Sequence, residues 1–283
     1  MARLGLVPLA LALAVGMLAL MVPPVASDED TLAEIKKRGV INIFVEAQYR
    51  PYEFRDAGGE IVGLDIDLAR KMFEEGLGVK VVFTDLDLVG VLGSLQTRKA
   101  DFVISGIVMT QERAKRFDLS IPYSEAGAAV LVRADESRLK GPDDLSGKII
   151  GTQLGSSSQK AAEAFDAQLK AQGKPGYAEL KTYERFPTAQ QDLLAKRIDA
   201  VVQGRPPLKV LIKERPGQFK ILSGLGPKAY YGAVVRKGDT ALLEFVNGQI
   251  RKFKQDGTLK ALQEKWLGES DVHTLPDPWT PLS

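Results

Sequence analysis

Short runs of β-branched and apolar residues alternate along this chain with stretches whose apolar positions recur every three to four residues. Runs of the first kind, at 40–45, 79–84, 101–105, 128–132, 148–152, 199–203 and 230–236, predict strands. Stretches of the second kind, at 65–75, 89–98, 157–170, 188–196 and 240–255, predict helices, and the last continues in helical period to Trp266. Strand and helix in regular alternation predict an α/β protein built on largely parallel sheets.

The pattern also repeats weakly. Lys99-Ala100-Asp101-Phe102-Val103-Ile104 is similar to Arg197-Ile198-Asp199-Ala200-Val201-Val202, each following a Leu-bearing helix. Two readings of that repeat stand side by side: chance similarity of short βα units, or two lobes of related topology, each of ordinary domain size. Gly141, Pro142 and Gly147 punctuate the entry to a second lobe, and Gly224, Gly226 and Pro227 its exit. The expected division is residues 28–130 and 232–283 in one lobe and 131–231 in the other, joined by two extended crossovers at 128–132 and 230–235 acting as a hinge.

Composition narrows the function. With 283 residues, 45% hydrophobic and 26% charged, the chain reads as globular, not disordered or polytopic. A formal charge of +2 with no Lys/Arg block argues against nucleic acid. The absence of Cys excludes a disulfide scaffold, a Cys-based metal site and a Cys nucleophile, and the single His, His273, speaks against His catalysis or metal binding. At the N-terminus, Arg3 precedes an apolar stretch at 4–21, then Val22-Pro23-Pro24-Val25-Ala26-Ser27 and acidic Asp28-Glu29-Asp30. That order predicts a signal peptide at 1–27 with cleavage after Ser27. A retained anchor is the other reading the apolar length permits; without Cys, a lipid anchor is not possible.

Ligands of open α/β sheets gather beyond the carboxyl ends of the strands. Four segments fit that description: 46–54, 106–113, 155–158 and 203–205. In the second, Gly106 permits close backbone approach, Thr110 suits a helix N-cap, and Arg113 falls in the first helical turn, where a cation is disfavoured by the helix dipole. A solvated surface Arg is the plain reading. The other is recognition of a carboxylate, which the planar guanidinium matches bidentately. In 46–54, Tyr52 and Phe54 read as packing and Tyr49 as a ligand wall. Asp65 and Asp67 read as helix N-cap and dipole partners, and two Asp at this spacing do not make a calcium loop. Gly155-Ser156-Ser157-Ser158 opens a helix and offers N–H groups to an anion. It lacks the Lys of a phosphate-binding loop, and Ser157–Lys160 lacks the companion motifs of penicillin-binding enzymes.

Taken together, Tyr49-Arg50-Pro51-Tyr52-Glu53-Phe54, Gly63-Leu64-Asp65-Ile66-Asp67-Leu68-Ala69, Met109-Thr110-Gln111-Glu112-Arg113 with Phe117-Asp118-Leu119-Ser120-Ile121-Pro122-Tyr123, and Asp256-Gly257-Thr258-Leu259 give the chain a specific resemblance. From about Leu32 to Gly268 it resembles the periplasmic amino-acid-binding proteins of ABC importers, the bacterial extracellular solute-binding proteins of family 3. The resemblance implies a monomeric, two-lobed periplasmic-binding-protein fold of type II with two crossover strands. It implies a receptor that closes on a small carboxylate ligand and presents it to an ABC permease, with no cofactor, metal or covalent chemistry. Residue by residue, it implies that Arg113 holds the α-carboxylate with N–H groups of Ser156 and Ser157, and that the Gly106 carbonyl accepts from the ammonium. Tyr49 and Leu88 then flank the side chain, Glu46 reads its polar end, and Gln203 and Gly204 complete the site. Two positions depart from the pattern: Val108 where relatives usually carry Ser or Thr, and Gly204, followed by Arg205, where they usually carry Asp. From these the expectation is a ligand whose amine is substituted or missing, and tighter binding of common amino acids after Gly204→Asp. Two other functions remain on this scaffold: an enzyme resembling cyclohexadienyl dehydratase, disfavoured because no acid lies at 203–205, and a sensor docking on a signalling receptor.

Overall fold

The computed structural model describes residues 30–279, so the segment expected to be a signal peptide lies outside the described residues. Two five-stranded sheets carry the chain. In the first, Val40–Val45 runs parallel between Lys80–Asp85 and Phe102–Val103. Val234–Arg236 then runs antiparallel between Phe102–Val103 and Phe117–Leu119. In the second, Ile149–Gln153 runs parallel between Glu179–Tyr183 and Ala200–Gly204, and Ala128–Arg133 runs antiparallel between Ala200–Gly204 and Phe219–Leu225. The two sheets share one strand order, each with its antiparallel strand in the fourth place. In the first lobe Ile41, Ile43 and Val45 bury one face of their strand and the other face is partly buried, while in the second lobe residues 129–132 and 200–202 are buried in succession, on both faces, as strands flanked by helices require.

The short repeat is therefore structural. Asp101 accepts a hydrogen bond at Oδ2 from the Asn42 N–H (2.8 Å) and donates its own N–H to the Asn42 carbonyl (2.9 Å). Asp199 does the same with Ile149 at 3.0 and 2.8 Å. In each lobe an Asp thus pins the start of the third strand to the first. Ahead of each Asp the chain leaves its helix through a left-handed residue, Arg98 at φ 56° and Lys196 at φ 59°.

Several boundaries differ from the sequence expectation. The strand at 128 extends to Arg133, is mostly buried and lies wholly within the second sheet, so it is core and not a free crossover. The crossing is made just before it by Ser124–Glu125, which pairs antiparallel with Tyr230–Tyr231, and by the Ala126 N–H donating to the Ala229 carbonyl (2.7 Å). The helix expected to continue to Trp266 breaks at Gly257 (φ 81°) into Thr240–Gln255 and Thr258–Leu267. Leu64–Arg70 is capped by Gly63, and the chain continues as a wider turn over Lys71–Glu75. Residue 205 does not close a loop: it opens the helix Arg205–Glu214, with Pro206 in its first turn, where a missing N–H costs nothing.

Candidate ligand-binding site

The carboxyl ends of the parallel strands in both sheets face one another across a cleft. The first strand of the first lobe ends at Val45, and Glu46 follows it into the cleft. Its N–H donates to Ser105 Oγ (2.9 Å) and its Oε1 accepts from Gln153 Nε2 of the other lobe (2.6 Å). Burial pushes the Glu46 carboxyl up to about 7, although the Gln153 hydrogen bond and Arg185 pull the other way.

Tyr49 is packed on every side. Its ring stands 5.7 Å from Phe186 of the second lobe and 6.0 Å from Tyr52, and its hydroxyl shares a 2.9 Å hydrogen bond with Tyr231. A Cβ on Gly106 would fall 2.7 Å from that ring, and Gly106 also has φ 51°, so only glycine fits. Under Gly106 lies a buried pair of carboxyl groups. Burial, then the neighbouring Asp65, hold Glu53 well above the usual carboxylate range, while burial raises Asp65 to about 6. Ser105 Oγ donates to Glu53 Oε1 (2.9 Å), and Asp65 Oδ2 accepts from the Gly106 N–H (2.7 Å) and the Tyr123 hydroxyl (2.8 Å). Asp65 is therefore not a helix cap but the tether of the Gly106 turn.

Thr110 caps the short helix Gln111–Arg116, its hydroxyl accepting from the Arg113 N–H (3.3 Å). The Arg113 side chain turns back into the cleft. Nη1 donates to the Val108 carbonyl (2.7 Å) and Nη2 reaches the Gly155 carbonyl of the other lobe (3.4 Å). Burial lowers its pKa to about 10, which leaves it charged at neutral pH. Among the described residues no carboxylate forms an ion pair with it.

From the second lobe, Ser156 caps the helix Ser157–Ala171, its hydroxyl accepting from the Gln159 N–H (3.0 Å) and donating to the Gln153 carbonyl (2.7 Å). The Ser156 N–H is itself directed at the Gln153 carbonyl (3.3 Å). The unspent helix-end donors are therefore those of Ser157 and Ser158. Gly204 ends its strand against the two phenols: a Cβ there would lie 2.4 Å from the Tyr49 hydroxyl and 2.5 Å from the Tyr231 hydroxyl. Tyr231 thus takes the space a side chain at 204 would need. Arg205 is exposed and does not line the cleft, so it adds no charge there.

One cleft thus brings together Glu46, Tyr49, Leu88, Gly106, Val108, Arg113, Ser156, Ser157 and Gly204. Gln203 is elsewhere, its Oε1 accepting from Gln190 Nε2 (2.9 Å) within the second lobe. Ser158 joins the cleft from the segment 155–158, and Ser105, Gln153, Phe186 and Tyr231 also line it without having been singled out in the sequence. Gln153 carried a usable signal, since it directly follows the strand expected at 148–152 and ends the observed one. Phe186 follows an edge strand too polar to notice, and Tyr231 was absorbed into a crossover. The lobes also meet through Arg185 Nη1 and Asp85 Oδ1 (3.1 Å). The space left in the closed cleft is small, about 30 Å³ open to the centre of a water molecule.

Residues 41–269 match the model of the bacterial extracellular solute-binding proteins, family 3. The chain belongs to this family. As a family-3 solute-binding protein it is 32% identical over 269 residues to the L-cystine-binding protein TcyJ of Escherichia coli K12, covering 95% of this chain and 97% of that one. It is 31% identical to the ABC transporter arginine-binding protein 1 of the same organism, over 80% of this chain and 90% of that one. Among solved structures, an ancestral arginine-binding protein bound to arginine superposes with TM-score 0.74 and 37% identity, covering 81% of this chain and 98% of that one. An ancestral amino-acid-binding protein described as a precursor of cyclohexadienyl dehydratase superposes with TM-score 0.75 and 35% identity, covering 84% and 99%. The two-lobed fold of these relatives is the fold of this chain.

Proposed function

We propose that this family-3 protein is an exported, periplasmic receptor that captures a small carboxylate-bearing ligand, an amino acid or a derivative of one, and hands it to an ABC permease. The observation that carries the reading is Arg113: a guanidinium drawn into the interlobe cleft, charged, with no carboxylate in an ion pair with it among the described residues, beside the free N–H groups of Ser157 and Ser158. A desolvated cation so placed is satisfied by an anion supplied from outside. The named functions of the relatives support the same role. The protein acts by closure and not by covalent chemistry. Ligand held between Arg113 on one lobe and the Ser157 helix end on the other stabilises the closed state by its differential affinity for it. A two-lobe division crossed at 124–126 and 229–231, cleavage after Ser27, and action as a monomer belong to the same proposal. The test is mass spectrometry of small molecules released on denaturing protein purified from its native host. A stoichiometric carboxylate is expected; a stoichiometric ligand without an acidic group would refute the assignment.

A further inference from the structure

Arg113 stands at the junction of two spaces. One is the inner cleft. The other is a groove along one side of the boundary between the lobes, with about 950 Å³ open to the centre of a water molecule, against about 30 Å³ inside. Leu88, Val108, Arg113, Ser156 and Ser157 line both, so the two are continuous. The groove's walls are apolar on both lobes: Val89 and Leu92 of the helix Leu88–Gln96 on one, Leu154 and Ala161 on the other. Val89 (54% exposed) and Leu154 (47%) are two of the three large apolar side chains this exposed among the described residues. Apolar surfaces brought together across a cleft and left open mark a place where apolar matter binds. Its inner end carries the Arg113 guanidinium, and Arg116, Lys160 and Glu112 also line the groove, a lining that is positive on balance, so the same occupant has an anionic head.

We propose that the groove is the subsite for an apolar tail on the ligand, whose carboxylate sits at Arg113 and whose chain runs past Val108 between Leu92 and Ala161. The class this fits is an N-acylated amino acid. Among the described residues the only carboxylate lining the inner cleft is Glu46, and it is engaged by Gln153; a neutral amide nitrogen needs no anionic partner there, and an acyl chain leaves that nitrogen toward the groove. This inference rests on Arg113 being the carboxylate anchor.

The test is calorimetric titration of the protein with N-acetyl-, N-butanoyl-, N-hexanoyl- and N-octanoylglycine. Affinity should rise roughly two- to fourfold with each added methylene, fourfold corresponding to full burial. Val89→Glu and Leu154→Glu, both at exposed positions and outside the inner cleft, should flatten that rise while N-acetylglycine binds as before. Arg113→Ala should weaken the whole series. If longer chains gain nothing while N-acetylglycine still binds through Arg113, the tail site is wrong, the anchor stands, and the groove faces a protein partner instead. A rise that survives both Glu substitutions places the chain elsewhere and also overturns the proposal. Binding indifferent to Arg113→Ala would remove the anchor and the tail site together.

Discussion

Removing the Arg113 side chain takes away a half-buried charge that forms no ion pair among the described residues, so the folded state loses little and ligand loses its partner. Arg113→Ala should cost roughly 2–5 kcal/mol of binding with an unchanged melting temperature, read by calorimetry beside thermal unfolding; binding within threefold of wild type would contradict the role. Gly204 changes its meaning once the phenols are seen. The sequence suggested that Asp at 204 would improve binding, yet a Cβ there meets two buried hydroxyls at 2.4 and 2.5 Å. Those hydroxyls end rigid rings packed on each other and on Tyr52 and Phe186, so they do not swing aside. Gly204→Ala should therefore destabilise by roughly 1–3 kcal/mol, as overpacking does, and Tyr231→Phe in the same chain should restore part of it. An unchanged melting temperature in Gly204→Ala would show that the phenols yield.

Between the lobes, Asp101 and Asp199 do identical work, and the residues that lead into them are equally strained. Lys196 holds φ 59°, a region in which a side chain costs about 1–2 kcal/mol and glycine nothing. Its ion pair to Asp135 spans 3.8 Å between exposed groups and contributes little. Lys196→Gly should raise the melting temperature by about 2–4 °C, the shift expected for a gain of about 1 kcal/mol in a chain of this size; a fall would mean that the added freedom of the unfolded chain outweighs the strain. The repeat and the alternation were legible because central strands buried on both faces write continuous apolar runs. Edge strands do not. Glu179–Tyr183 and Phe219–Leu225 are only partly buried, and their composition gave no run to read. The cleft was legible as far as one strand end at a time reveals it: Arg113, Gly106 and Glu46 stood out from their own segments. Tyr231 and Phe186 matter only through what faces them from elsewhere in the chain, Gly204 and Tyr49, and local pattern carries no record of that.

Closure joins the two lobes through Glu46 and Gln153, Arg185 and Asp85, and Arg113 and the Gly155 carbonyl. The paired segments Ser124–Glu125 and Tyr230–Tyr231 are the natural place for the dihedral change of opening. Scattering should show a smaller radius of gyration with saturating ligand, and Arg185→Ala should enlarge the ligand-free form; an unchanged radius with binding confirmed would reject hinge closure. The same contacts carry a pH dependence. Glu46, raised by burial from 4.5 to about 7, holds its proton more tightly in the folded protein. Its contribution to stability is thus complete below pH 4.5 and is lost as the pH rises through about 7, and Asp65, raised to about 6, acts in the same direction. Wild type should melt higher at pH 5 than at pH 8 on this account. Glu46→Gln, which keeps an acceptor for Gln153 without the charge, should narrow the difference by a few degrees; equal differences in both proteins would exclude Glu46 as the source.

The strand Val234–Arg236 lies between Phe102–Val103 and Phe117–Leu119, and this has a consequence for biosynthesis. The second sheet uses only residues 128–225, so it is complete as soon as that stretch has emerged. The first sheet waits for a strand made more than a hundred residues after its neighbours, and its lobe waits further for the helix Thr240–Gln255, which packs on the helix Thr31–Arg38 and on Phe73. Domains generally fold in the order they are made; here the lobe begun first is finished last. Until then its apolar strands remain open, and a nascent chain halted before residue 234 should yield a protease-resistant second lobe alone.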